Sequence, residues 1–156
     1  MNHVLASLAA EMQLSAPAQE PLRLAFGLAC VSRVEHLLEN PRAVAAVETL
    51  RSFVAGNADA STLQEVAVEL QQVANQHRGS NSIDGSAHAA VSATYAVANA
   101  VAGRALEAAN YAAYASVYAY GGYAVNDPAS FEPEFAWQAA QLRLLASTHG
   151  PSNSAA

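Results

Sequence analysis

The chain has 156 residues, with seven arginines, no lysine and thirteen carboxylates for a formal charge of -6; this excludes a strongly electropositive nucleic-acid binder. Alanine fills 38 positions, about a quarter of the chain, and its helix propensity argues for helix throughout and against a sheet protein. The length suits one domain whose core needs no disulfide or metal, and the single Cys30 excludes an internal disulfide and points to a reducing, cytoplasmic setting.

The start, Met1-Asn2-His3-Val4-Leu5-Ala6, lacks the basic segment of a signal peptide. Val4, Leu5, Leu8 and Met12 predict a first helix over about 4–12, broken at Ser15-Ala16-Pro17-Ala18. A second helix starts near Pro21 and carries Leu24, Leu28, Val31, Val34 and Leu38 as an apolar stripe up to Asn40. Asn40 is the expected N-cap of a third helix with Pro41 as its first residue. Val44, Val47, Leu50 and Val54 are its expected buried face, and Gly56-Asn57 closes it.

Ser61-Thr62-Leu63-Gln64 reads as a capping box opening a fourth helix through Val66, Leu70 and Val73 to about His77. Arg78 to Ser82 is expected as a polar loop, with Gly79 as the stop and Asp84 or Ser86 capping the fifth helix. Gly103-Arg104 marks a bend before a sixth helix that runs through the tyrosines to Gly121-Gly122. Asn126-Asp127-Pro128 predicts a turn, and Ser130 the cap of a last helix through Phe135, Trp137, Leu142 and Leu145. The expectation is an all-α, compact single-domain bundle of six to seven helices over 1–149. Residues 150–156 are expected as a frayed tail. The fifth and sixth helices are so poor in bulky side chains that they belong at the centre, with alanine in the seam. Gly85 to Gly103 and Ala108 to Asn126 are uncharged and long enough to span a bilayer, but Asn99, Asn110 and His88 would be costly in hydrocarbon, so no membrane association is expected.

Chemistry-bearing residues are sparse. His36 and Glu39 have the i, i+3 spacing of a carboxylate-bridged metal site, but no second such pair occurs, so they read as a polar face and no metal is expected. Cys30, flanked by Ala29 and Val31, reads as a core residue and not as a nucleophile served by His36 or His88. His88, within Ala87-His88-Ala89-Ala90, reads as a hydrogen-bonded interior histidine. Tyr111, Tyr114 and Tyr118 form a stripe at spacings of three and four, with Tyr95, Tyr120 and Tyr123 nearby; filling the core and anchoring an interface both stay open. Glu35, Glu39, Glu48, Glu65 and Glu69 gather on the second to fourth helices, either as a solvated face or as a surface that steers towards a basic partner.

Cys30-Val31-Ser32-Arg33-Val34-Glu35-His36-Leu37-Leu38-Glu39, then Pro41-Arg42-Ala43-Val44-Ala45-Ala46-Val47-Glu48 and Leu50-Arg51-Ser52-Phe53-Val54-Ala55-Gly56, resembles the immunity-protein-five-like family of bacterial polymorphic-toxin systems. The Ala-rich stretch with His88, and Trp137-Gln138 with Gln141-Leu142, extend the resemblance over about 22–145. Ser32 stands where that pattern usually has Glu, Phe53 where it often has Trp, and a second His in the Ala-rich region is not evident. The resemblance implies a non-enzymatic all-α protein, without cofactor, that binds a cognate protein toxin and blocks it. The partner-contacting residues expected on that view are Glu35, Glu39, Glu48, Glu65 and Glu69. The competing readings are a scaffold that self-associates as a homo-oligomer through the Ala/Tyr helices, and a helical-bundle metal enzyme using His36, Glu39 and His88.

Overall fold

The computed structural model describes residues 1–77 and 86–149. Seven α-helices follow in chain order among them: α1 (His3–Glu11), α2 (Glu20–Ser32), α3 (Pro41–Val54), α4 (Ala60–Gln76), α5 (Ser86–Val101), α6 (Ala105–Tyr120) and α7 (Glu132–His149). Short 3-10 segments at Pro17–Gln19, Glu35–Leu37, Gly122–Asn126 and Pro128–Phe131 fill the connections. The expected loop from Arg78 to Ser82, the stop at Gly79, the Asp84 cap and the tail 150–156 lie outside the described residues, as does the side chain of Ser86.

The most extensive pairing in the molecule is α5 against α6. Ala93, Ala96 and Ala100 on one helix and Ala105, Ala108, Ala109 and Ala112 on the other are almost wholly inaccessible. Side chains that small bring two helix axes close. The seam is therefore sealed by backbone and methyl groups, and bulky residues arrive from outside it. They come chiefly from α2, which packs on both central helices and buries Leu22, Leu24, Phe26, Cys30 and Val31. Each such side chain contributes roughly 1.5–3 kcal/mol on leaving water. Gly27 makes the approach of α2 to α5 possible: a Cβ built there lies 3.2 Å from the Cβ of Ala100 and 3.3 Å from its Cα. The buried polar groups of α5 are paired within the helix, Thr94 Oγ1 donating to the Ala90 carbonyl at 2.8 Å and Asn99 Nδ2 to that of Tyr95 at 2.9 Å.

Local signals set most helix ends. Asn40 Oδ1 accepts from the Arg42 amide at 2.8 Å, with Pro41 opening α3. Past α5, Gly103 takes a left-handed conformation (φ +77°), so the Gly103 amide donates to the Ala100 carbonyl and that of Arg104 to the Asn99 carbonyl.

Four expectations need correction. Helix α2 ends at Ser32, not near Asn40. From Arg33 the amides turn to carbonyls three residues back, Arg33 to Cys30, Val34 to Val31 and Leu37 to Val34, while Ser32 Oγ takes the Leu28 carbonyl at 2.8 Å. That hydroxyl competes for the ladder as the chain tightens, and Pro41 bars helix for the residue before it. His36 therefore lies in a 3-10 turn and Glu39 beyond it, so the two do not share an α-helical face.

The buried side of α3 is Ala43, Ala46, Val47 and Leu50, whereas Val44 and Val54 are exposed. The methyl-sized positions turn inward because α3 lies close on α4 and α2. The cap of α4 is Asp59, not Ser61: its Oδ1 accepts from the Thr62 amide at 2.8 Å and from Ser61 Oγ at 3.0 Å. A carboxylate is the stronger acceptor at the positive end of a helix. These bonds, the Thr62 amide first, hold the Asp59 carboxyl below the usual range. Ser130 sits inside a 3-10 segment capped by Asp127, which accepts from the Ala129 amide at 3.0 Å; α7 begins only at Glu132.

Candidate functional site

Two surfaces concentrate the polar and aromatic chemistry. On the first, Arg51 of α3 is a hub: its guanidinium reaches Glu35 Oε1 at 3.0 Å, Ser32 Oγ at 3.3 Å and the carboxylate of Glu48 one turn earlier. Arg42 at the start of α3 faces Glu69 on α4 at 3.6 Å, and the nearly buried His77 imidazole faces Glu39 at 3.8 Å. Glu65 stands one turn before Glu69, exposed. The five expected acidic residues are thus distributed, Glu35 in the 3-10 turn, Glu39 in the link between that turn and α3, Glu48 on α3, and Glu65 and Glu69 on α4. Four of them meet a neighbouring cationic or imidazole group. Arg42 and Arg51 are nine positions apart, half a turn out of phase on α3, so the two ion-pair groups flank the helix on opposite sides; five carboxylates against two guanidiniums still leave the region negative. Each pair is solvent-exposed on at least one side and contributes little to stability.

The second surface is a groove of about 840 Å³ between the N-terminal segment, α5, α6 and α7. One wall is Tyr111, Tyr114 and Tyr118 on α6. The N-terminal wall is Asn2, Leu5 and Ala6, Ser92 comes from α5, and the buried Gln138 comes from α7. Each ring is braced by another aromatic group: Tyr111 stacks on Tyr95 at 5.2 Å between centroids, Tyr118 on His88 at 5.1 Å, and Tyr114 meets Phe131 edge-on at 5.0 Å. Edge-on and offset geometries are the favoured ones for such rings. Gln138 is fully buried and satisfied: its Nε2 donates to the Ala109 carbonyl at 2.8 Å, and its Oε1 accepts from Asn2 Nδ2 at 3.2 Å. Asn2 in turn caps α1, accepting from the Leu5 amide at 3.0 Å.

The structure gives the tyrosines both a core contact, Tyr111 packing on the main cluster, and an accessible side on the groove. They are braced from below and line an open groove, half-buried in the case of Tyr111 and Tyr118. His88 is not interior as expected: it is exposed and packs its ring on Tyr118. A single alanine-rich turn gives no indication of which way such a ring points. Sequence reasoning also passed over Glu107, which lies on the groove four residues before Tyr111. The signal was present, since Glu107, Tyr111, Tyr114 and Tyr118 keep the four, three, four spacing of one helix face.

Away from both surfaces, Arg33 at the end of α2 grips Glu134 of α7 with two bonds of 2.8 Å, and its guanidinium lies 4.0 Å over the Trp137 ring. The carboxylate bond raises the already high pKa of that guanidinium. Cys30 is fully buried beneath, and burial, reinforced by the Glu134 charge, pushes its thiol far above the usual range. A thiol so placed is a core side chain and not a nucleophile. Among the described residues, no three His, Cys, Asp or Glu side chains gather into a metal-binding group, and no helix is long and apolar enough to cross a membrane.

The fold and these surfaces define an all-helical protein with an alanine seam, an acidic helical hairpin and a tyrosine-walled groove. The chain belongs to the family described as "Imm-5 like putative immunity protein", whose model matches residues 19–144. Comparison with curated proteins and with solved structures found no match.

Proposed function

We propose that this protein is an immunity protein that acts in the cytoplasm as a stoichiometric inhibitor, binding a cognate protein toxin and blocking it by occupying its surface, with no catalysis of its own. The observation that carries this reading is family membership over residues 19–144. The acidic face of α3 and α4, with Glu35, Glu39, Glu48, Glu65 and Glu69, is the proposed contact surface. A net negative face on a chain of charge -6 raises the encounter rate with a basic partner and selects against acidic ones. Glu35 and Glu48, pre-oriented by Arg51, present carboxylate oxygens with little further ordering on binding.

The test is capture of the partner from native lysate by tagged wild-type protein and by Glu65→Lys/Glu69→Lys, followed by an inhibition assay on the purified partner. One toxin, inhibited near equimolar ratio by the wild type and about tenfold less tightly by the variant, supports both the function and the face. Equal inhibition by both proteins removes the face from the account. A captured partner whose activity is unchanged by saturating wild-type protein contradicts the function.

A further inference from the structure

The groove on α6 has a chemistry that the acidic hairpin does not share. Glu107, Tyr111, Tyr114 and Tyr118 run along its wall on one helix face. Among the described residues Glu107 is the one charged side chain in the lining, and it sits in the first turn of α6, where the helix dipole favours the charged carboxylate. Met1 also reaches the lining and is 78 % exposed. Electron-rich ring faces beside a carboxylate attract a cation that still carries an apolar stem. The rings are held by Tyr95, His88 and Phe131, so they need not reorder to receive it.

We propose that this groove is the receptor for a lysine or arginine side chain projecting from the partner protein, its alkyl stem against the tyrosines and its charged head towards Glu107. This rests on the immunity reading for the identity of the partner, and it adds a second, aromatic anchor to the acidic face. Charge complementarity selects the occupant. A second copy of this chain offers no lysine, and its Arg23, Arg33, Arg42 and Arg51 already meet local carbonyls or carboxylates; a copy reaching in with Arg104 or Arg143 is the outcome that the solution mass below tests.

The experiment titrates the full chain with N-acetyl-lysine methylamide, N-acetyl-arginine methylamide and the uncharged N-acetyl-norleucine methylamide. Tyrosine ring resonances are the readout, in wild type and in Glu107→Gln. The expected result is saturable shifts of Tyr111, Tyr114 and Tyr118 with the two cationic amides, binding weakened about threefold to fivefold in Glu107→Gln, and no saturation with norleucine. Tyr114→Leu, checked for an unchanged fold, also loses the response. Equal shifts with norleucine, an unchanged response in Glu107→Gln, or no saturable shift of these rings with either cationic amide overturn the proposal. So does a solution mass of twice the chain that Tyr114→Leu returns to one, which assigns the groove to a second copy. Amide binding without any toxin inhibition leaves the groove and removes the immunity reading; inhibition without amide binding does the reverse.

Discussion

Replacing Arg33 by methionine is the sharpest probe of how the bundle holds α7, the helix that supplies Gln138 to the floor of the groove. The substitution keeps an apolar stem on Trp137 but leaves the Glu134 carboxylate, 9 % exposed, without the two 2.8 Å bonds it now accepts. Breaking a fully buried pair from one side costs about 3–5 kcal/mol, whereas an exposed pair is worth about 0–1 kcal/mol. Arg33 is 41 % exposed, so solvent screens part of the interaction and the cost falls to about 2 kcal/mol. Loss of the cation over the indole adds about 0.5–1 kcal/mol. Glu134→Gln is the milder change, because the half-exposed guanidinium left behind can hydrate; about 1 kcal/mol is expected. Urea unfolding of both single variants and the double variant gives the cycle. The reasoning predicts that Arg33→Met costs more than Glu134→Gln, and that the double variant costs at least about 1 kcal/mol less than their sum. Equal single costs and strict additivity would refute it.

Cys30 gives a pH signature. Its thiol pKa is raised by burial in the folded state, so the native chain holds a proton that the unfolded chain releases above about pH 8.5. The stability it contributes is fully present below that pH and declines as pH rises through the alkaline range, by up to about 1.4 kcal/mol per unit. Cys30→Ala, measured by urea unfolding between pH 8 and 10, should flatten that slope relative to wild type whatever its own baseline stability. Gly27→Val should destabilise by about 2 kcal/mol, since its methyls must enter the 3.2 Å gap to Ala100; a thermal melt unchanged from wild type contradicts the close approach of α2 and α5. Gln138→Leu strips the buried Ala109 carbonyl and the Asn2 amide of a partner and should cost about 2 kcal/mol. It should also loosen the N-terminal wall of the groove, seen as faster amide exchange at Leu5, while α3 and α4 stay protected. Asp59→Asn should remove part of the acid sensitivity of α4. The Asp59 carboxylate, with its lowered pKa, supports the helix above the ordinary carboxylate range and loses that support as pH falls below it, which circular dichroism between pH 5 and 2 follows.

Much of the architecture was legible because its signals are local. Asn40-Pro41, Gly56 and Gly103 each act through a cap or a single backbone conformation, Gly121 leaves room for the Tyr123 ring, and the structure places helix ends at all four. The alanine content of 86–117 likewise announced a close-packed central pair. What escaped depends on partners distant in sequence or on competition between equivalent signals. Asp59 and Ser61 can both cap α4, and the carboxylate takes the position. Val44 and Ala43 are adjacent on α3, and only the spacing to α4 and α2 decides which turns inward. Arg33 and Glu134 are 101 residues apart, so no periodicity could join them. The acidic set of Glu35, Glu39, Glu48, Glu65 and Glu69 was visible as carboxylates. Its pairing in part with Arg42, Arg51 and His77 was not, and neither was the outward turn of His88. Glu107 and the tyrosines show the intermediate case, in which the helical spacing was readable and the groove it faces was not.

The most direct measurement is survival. Cells expressing the captured toxin are grown with and without this chain supplied at matched levels, alongside Glu65→Lys/Glu69→Lys. The account predicts full growth with the wild type, growth arrest without it, and reduced protection by the variant at equal abundance. Arrest that persists with abundant, folded wild-type protein would contradict an immunity role.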